Sequence, residues 1–543
     1  MSPNGSRCGC NGGDRSTYSA AARMSSAIVY PWFPDAGDGT YRNPVVCADY
    51  SDPDVIRDGD DFWMTASSFN CTPALPILHS RDLVNWRLVK HAVKNLPDPR
   101  GVFHAPQHGC GVWAPAIRKH AGKFWIFFPM VDEGIYVTTA KDPRKKWSTP
   151  HLLVEGKGLI DPCPLWDDDG KAYLVHAYAH SRSGIKHRLR VAPMSPDGSR
   201  LIGEGKVVFD QPQRHPTCEG PKFHKRDGWY YISAPAGGVA TGWQLVLRAR
   251  DVYGPYEEKV VLAQGSTPIN GPHQGALVDT PDPSTGSGQI AKQWWFIHFQ
   301  DVDLYGRIVH LQPVRWVDGW PLMGREHGAD GVGEPVLSSR KPAVAGEHSI
   351  ATPQTSDEFD HERLGLQWQW NANHDDEWAS LTARPGHLRL RSLPRAAESL
   401  QKAPNLLCQK FPARSFSVET EVELTPGATR QGGLIVVGKS SHAVAALEAA
   451  GTSQRLLWIV DDRVVATVSP VASHVRLAAD VADGGRCTFR FATPDGPWQP
   501  IGDPYQATEG HWIGARVGLF CRSSVDAHAD FTYFRFAAPG QHS

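Results

Sequence analysis

The sequence predicts an all-β fold, a five-bladed β-propeller followed by a β-sandwich, on three observations. One repeat unit is written five times in the first part of the chain. The last third is a series of short segments in which apolar and polar residues alternate. The composition is heavy in Trp, Gly and Pro and shows no long helical pattern.

The repeat is clearest from Gly158 to Tyr178. Asp161 before a proline opens a short apolar strand, Asp169-Gly170 predicts a hairpin turn, and Tyr173 to Tyr178 form a strand rich in β-branched and aromatic residues. A second copy runs from Asp52-Pro53-Asp54 through Gly59 to Phe62-Trp63-Met64, and a third from Ala114-Pro115 through Gly122 to Phe124-Trp125. Glu219-Gly220-Pro221 leads through Asp227-Gly228 to Trp229-Tyr230, and His273-Gln274-Gly275 leads across a long turn to Trp294-Trp295. The copies recur at roughly 50–60 residues, a period of propeller blades rather than of helical repeats. The innermost strand of a blade lines a central channel. Asp52, Ala114, Asp161, Glu219 and His273, which open the copies, are therefore predicted near that channel, and three of them are carboxylates.

At 543 residues the chain is expected to hold at least two domains. A formal net charge of −1 argues against nucleic acid or an anionic membrane as partner, and no apolar run reaches the length of a membrane span. The polar, Gly/Ser-rich residues 1–27 predict a disordered tail without the apolar core of a secretory signal, which points to the cytoplasm. The ten cysteines form no Cys-x-x-Cys pair and are expected to be mostly buried free thiols. Residues 28–334 are predicted to form the propeller, with Asp82 and Asn85 at a blade corner and Asp318-Gly319 turning the chain out of it. The loop carrying His104, His108 and Cys110 matches no standard zinc pattern and predicts a pocket wall. Asp167-Asp168-Asp169 lacks the spacing of a calcium loop and predicts a turn. Pro-, Ala- and Ser-rich residues 335–356 read as a linker. From 357 to 543, alternating segments such as Leu388–Arg391, Ser415–Val422 and Phe531–Phe536 predict the sandwich.

Hydrolysis of a glycosidic bond needs a proton donor for the leaving oxygen and a second carboxylate on the opposite face. The donor must keep its proton near neutral pH, through burial or a neighbouring negative charge. Asp52, Asp161 and Glu219 fit these roles. Phe69, Trp113 and Trp243 are candidates to stack on a sugar ring, and Trp113, directly before a repeat, is the one expected to face the channel.

Tyr50-Ser51-Asp52-Pro53-Asp54, Trp113-Ala114-Pro115, Gly158-Leu159-Ile160-Asp161-Pro162, Glu219-Gly220-Pro221 and His79–Trp86 resemble the signature blocks of glycoside hydrolase family 43. The region from Asp357 to Phe536 is similar to the C-terminal β-sandwich, a concanavalin-like jelly roll, of that family's β-xylosidases. The resemblance implies inverting hydrolysis with Asp52 as general base, Asp161 as the group that tunes and orients the acid, and Glu219 as general acid. It also implies sugar contacts from Arg307 and His273, no required cofactor, and room for calcium or another ion near His273 and for a homo-oligomer. One departure is clear: the block before the base usually reads aromatic then proline, and here it reads Tyr50-Ser51. The expected activity is exo-acting release of terminal β-D-xylosyl or α-L-arabinofuranosyl residues from hemicellulose fragments. An exo-galactanase, an endo-arabinanase and a non-catalytic carbohydrate-binding propeller are the alternatives. A retaining fructosidase would need an Arg-Asp-Pro block, and Arg250-Asp251-Val252 lacks the proline.

Overall fold

Each of the five repeats folds as an antiparallel sheet of four strands in chain order. A computed structural model describes residues 30–281, 292–328, 330–394, 398–425, 427–469 and 471–539. Blade 1 runs through Asp54–Asp58, Asp61–Thr65, Ala74–Ser80 and Arg87–Val93. The innermost strands of blades 2 to 5 are Ala116–His120, Leu159–Trp166, Lys222–Arg226 and His273–Pro281. The expected tail and the long turn of the fifth repeat lie outside the described residues.

Local chemistry sets the turns. Ala121-Gly122 and Asp227-Gly228 each have both residues at positive φ, the two-residue hairpin whose twist matches its strands. Asp169-Gly170 differs from the expected form. Only Gly170 has a positive φ, and bonds from Asp167 N to Lys171 O and from Gly170 N to Asp167 O close a wider loop between Trp166 and Ala172. Asp82 builds the expected corner, accepting from the backbone of Val84 and Asn85 beside fully buried Trp86. The expectation for Asp318-Gly319 is corrected: this pair is the tip of a hairpin that adds Trp320–Met323 as the outer strand of blade 5. The chain then adds Val332–Glu334 beside Glu257–Leu262 of blade 4.

Every neighbouring pair of blades is sealed by its own apolar cluster. Trp63 and Ile77 meet Ile117 and Phe124, Phe127 and Val137 meet Leu174 and Met194, and Val175 meets Phe223 and Ile232. Tyr231 and Val246 meet Leu277 and Phe296. The ring closes where Met64 and Trp86 of blade 1 meet Val278 and Leu311 of blade 5, with an Arg57–Asp279 ion pair at 2.9 Å.

The C-terminal domain is a sandwich of two seven-stranded sheets. Leu407–Lys410 pairs with Arg516–Arg522, and Leu388–Arg391 with His528–Ala537, so strands distant in sequence lie side by side. Residues 335–356 lie against the propeller: Ser338–Arg340 pairs with Thr40–Arg42, Lys341 bridges Asp35 and Asp82, and Ala351 N donates to Asn85 Oδ1. Seven of the cysteines are buried free thiols, Cys110 is half-buried, and Cys8 and Cys10 lie outside the described residues.

The two domains interlock. Thr72 and Trp370 exchange backbone hydrogen bonds across the interface, and Arg516 donates to Asn371 Oδ1 and Cys71 Sγ. Tyr305, from blade 5, packs its ring into the sandwich core, donates to Arg414 O at 2.9 Å and accepts from Gly484 N at 2.7 Å. Tyr305→Ala empties that socket and should lower stability by about 3–5 kcal/mol. The measurement is the thermal midpoint of the full chain, and an unchanged midpoint would show that the ring carries no interface energy.

Candidate active site

Two of the three carboxylates that open the repeats stand in left-handed backbone, Asp52 at φ 55° and Asp161 at φ 56°. Such a conformation is costly for a non-glycine residue, and it persists where the surroundings enforce it. At Asp161 the strand pairing skips from Ile160 to Cys163, so Asp161 and Pro162 bulge out of the ladder. The same kind of shift separates His273 from Gly275 in blade 5.

These departures bring the groups together. Asp161 Oδ2 accepts from Gly220 N at 2.7 Å, which sets its carboxylate beside Glu219. His273 Nε2 is 3.2 Å from Glu219 Oε1 on the other side. Asp52 Oδ2 accepts from the hydroxyls of Ser51 at 2.7 Å and Ser67 at 2.5 Å. Arg307 Nη1 donates to Ser51 Oγ at 2.8 Å and lies 3.3 Å from Asp52 Oδ1, while its Nε reaches Asp301. The Glu219 side chain is 27% exposed and that of Asp52 only 7%, so Glu219 is the more open of the two.

Electrostatics follows the burial. Burial first, and the Glu219 carboxylate second, push the Asp161 carboxyl up to about 8, against the opposing Gly220 N–H and Lys222. The Asp161 carboxyl therefore holds on to its proton at neutral pH. Burial works against the Arg307 charge, but Asp52 and Asp301 outweigh it and keep the guanidinium protonated.

The walls are aromatic. Phe69 is 2% exposed, stands 6.3 Å from Trp113 between ring centroids, and pairs through its backbone with Val112. Gly111 permits this pairing, because a Cβ there would meet Phe69 O at 2.1 Å. Trp512 comes from the sandwich, 46% exposed, with its ring 6.3 Å from Trp113 and 5.7 Å from the Arg307 guanidinium.

A family model, Glycosyl hydrolases family 43, matches residues 41–321. The chain belongs to this family. A second model, the beta xylosidase C-terminal Concanavalin A-like domain, matches residues 356–537. This family 43 chain is an O-glycosyl hydrolase, and its substrate is a carbohydrate. It is 40% identical over 489 residues to a putative beta-xylosidase of Xylanibacter ruminicola, covering 89% of this chain and 86% of that protein. It is 28% identical to a non-reducing end alpha-L-arabinofuranosidase of Bacteroides ovatus, covering 92% and 94%. The solved structure of a xylan beta-1,4-xylosidase of Bacillus halodurans superposes with a TM-score of 0.78 at 25% identity, covering 91% and 99%.

Of the residues singled out in the sequence, Asp52, Asp161, Glu219, His273, Arg307, Trp113 and Phe69 gather here. Trp243 does not; it packs between blades 3 and 4 and donates to His215. His104, His108 and Cys110 do not converge, since they contact Gly101 O, Gln401 O and Arg182 respectively. At His273 the unpartnered buried atom is Nδ1, a nitrogen. Calcium takes six to eight oxygen ligands, and among the described residues no three His, Cys, Asp or Glu side chains gather as a ligand set. The donors present at His273 do not fit that ion. Sequence reasoning missed Ser67, Asp49 and Trp512. The flanking glycines in Gly510-His511-Trp512-Ile513-Gly514 were the available signal for a tryptophan held out on a tight loop.

The raised Asp161 carboxyl has a stability consequence. Below about pH 4 it is protonated in both folded and unfolded chains and costs nothing. As pH rises towards about 8 the unfolded chain ionises while the folded carboxyl is held protonated, and stability is lost. Asp161→Asn, which keeps an acceptor for Gly220 N, should raise the thermal midpoint at pH 8 by several degrees and leave it unchanged near pH 4. An equal shift at both pH values would contradict a buried, raised carboxyl.

Proposed function

We propose that the chain is an exo-acting, inverting glycosidase that releases terminal pentose residues, β-D-xylosyl or α-L-arabinofuranosyl, from hemicellulose-derived oligosaccharides. One observation carries the reading: Asp52, Asp161 and Glu219 meet, and Trp512 of the second domain stands beside the Arg307 that contacts Asp52. The relatives named as xylosidases and an arabinofuranosidase support the pentose. Trp512, set beside Trp113 and Arg307 by the second domain, supports action at a chain end by narrowing the site.

The roles follow from the contacts. Glu219, the most open of the three, is the general acid and delivers a proton to the leaving oxygen. Asp161, buried and tied to Gly220 N, orients the acid. Asp52 is the general base. Its Oδ2 accepts from two serine hydroxyls at 2.5–2.7 Å, whereas Oδ1 has only the longer 3.3 Å contact with Arg307 Nη1, which makes Oδ1 the freer oxygen to draw a proton from water attacking the opposite face. Arg307 holds the terminal sugar and steadies Asp52, and Trp113, with buried Phe69 beside it, presents an apolar face to the ring.

The test is hydrolysis of p-nitrophenyl β-D-xyloside and p-nitrophenyl α-L-arabinofuranoside side by side, with the first-formed anomer read by proton NMR. Inversion at the anomeric carbon is expected; retention would overturn the role of Asp52. Asp52→Ala and Glu219→Ala should each lose roughly 10²–10⁴-fold in rate on natural linkages. Glu219→Ala should recover in part on an aryl glycoside with a good leaving group, and Asp52→Ala should not. Internal cleavage of a polymer with no monosaccharide released would count against exo action.

A further inference from the structure

Asp49 lies three residues before the base and is 5% exposed. Among the described residues no cation forms an ion pair with it. Its two carboxylate oxygens serve two backbone amides instead. Oδ1 accepts from Arg307 N at 2.9 Å, and Oδ2 accepts from Gly514 N at 3.1 Å. The first amide belongs to the propeller residue whose guanidinium touches Ser51 and Asp52. The second belongs to the sandwich, two residues beyond Trp512.

The seam at this carboxylate is built by close backbone approach. A Cβ on Gly306 would stand 2.6 Å from both Asp49 Cγ and Gly514 N, and one on Gly514 would stand 2.7 Å from the Tyr305 carbonyl carbon. Ala515 N donates to Leu304 O at 2.7 Å, so the sandwich loop and the start of the Arg307 strand run in contact. Trp512 itself has φ 64°, a conformation that its neighbours must enforce. Gly510 N closes the loop on Ile513 O at 2.8 Å, and the Gly514 amide ties the closed loop to the propeller through Asp49.

Resting on the pentosidase reading above, we propose that Asp49 is a positioning residue that fastens the Trp512 wall and the Arg307–Asp52 contact into one unit. The sugar pocket is then complete only when the sandwich is seated. A carboxylate is required rather than an amide, because both oxygens must accept. Asn offers one acceptor and sets its NH₂ against the other N–H, leaving a buried donor unpaired.

The experiment is a double-mutant cycle on kcat/KM with the full chain: Asp49→Asn, Trp512→Ala and the pair, on whichever pentoside the wild type hydrolyses. Asp49→Asn is expected to lower kcat/KM by about 10–100-fold, with a rise in KM because the sugar-holding wall and Arg307 are loosened together. In the Trp512→Ala background the same change should cost several-fold less, since part of what it loosens is already gone. Gly514→Ala, which displaces the loop from its other side without touching the carboxylate, should reproduce the Asp49→Asn kinetics and replaces it if that variant does not fold. Losses that multiply in the double variant, or an Asp49→Asn enzyme within two-fold of wild type, would overturn the proposal. Amide hydrogen exchange on the same proteins reads the fastening without substrate. Segments 305–308 and 511–515 should exchange faster in Asp49→Asn while Gly427–Val437 in the sandwich sheet is unchanged, and equal protection would overturn it as well. A wild type silent on both pentosides defeats the functional reading alone, and the exchange result still decides the role of Asp49.

Discussion

Blades 1 and 5 are the farthest apart in sequence and adjacent in space, and the apolar seam between them decides where the chemistry can happen. Asp52 belongs to the first blade and Arg307 to the last, so their contact spans the closing seam of the ring. Met64 and Trp86 packed on Val278 and Leu311, the Arg57–Asp279 ion pair, and Tyr41 donating to Leu311 O all hold that seam shut. A seam opened by even an ångström would pull the Arg307 guanidinium away from Asp52 and Ser51. Close-packed interiors transmit small displacements of this kind, so the geometry of the site is inherited from packing far below it.

The site spends stability that the seams supply. Two aspartates are held in left-handed backbone, one carboxyl is buried beside another, and Arg307 is buried with its charge. Each is unfavourable in isolation. Five interblade clusters and a sandwich core that accepts Tyr305 offset them.

Much of the fold could be read from the sequence because each blade announces itself locally. Asp-Pro or Glu-Gly-Pro, then a Gly turn, then an aromatic strand is a pattern in which every residue has a short-range cause. The three carboxylates that meet at the site were legible for the same reason, since they open those repeats. Asp318-Gly319 misled because a hairpin tip inside a blade and a turn out of it use the same residues; what separates them is whether a later strand pairs back. The strand His442–Gly451 is rich in alanine, a residue with no preference for sheets, and only its neighbours on both sides make it a strand. Asp49 and Ser67 were illegible, and Trp512 was marked only by its flanking glycines, because their partners are decided by how domains and loops meet rather than by a local pattern. Ser51 was noticed only as a departure from the usual proline, and its hydroxyl proves to link Arg307 to Asp52.

The stretch between the domains has a consequence for how this chain can be taken apart or recombined. Its Ser338–Arg340 strand, the Lys341 bridge to Asp35 and Asp82, and the Ala351 bond to Asn85 are parts of the outer fastening of blade 1. A cut placed at the end of the last blade would strip the first blade of these contacts as well as removing the sandwich. The two halves are therefore not interchangeable modules on a neutral tether. Gene shuffling that grafts a foreign sandwich onto this propeller must carry the intervening stretch with the propeller, and chimeras joined before it start with a loosened ring.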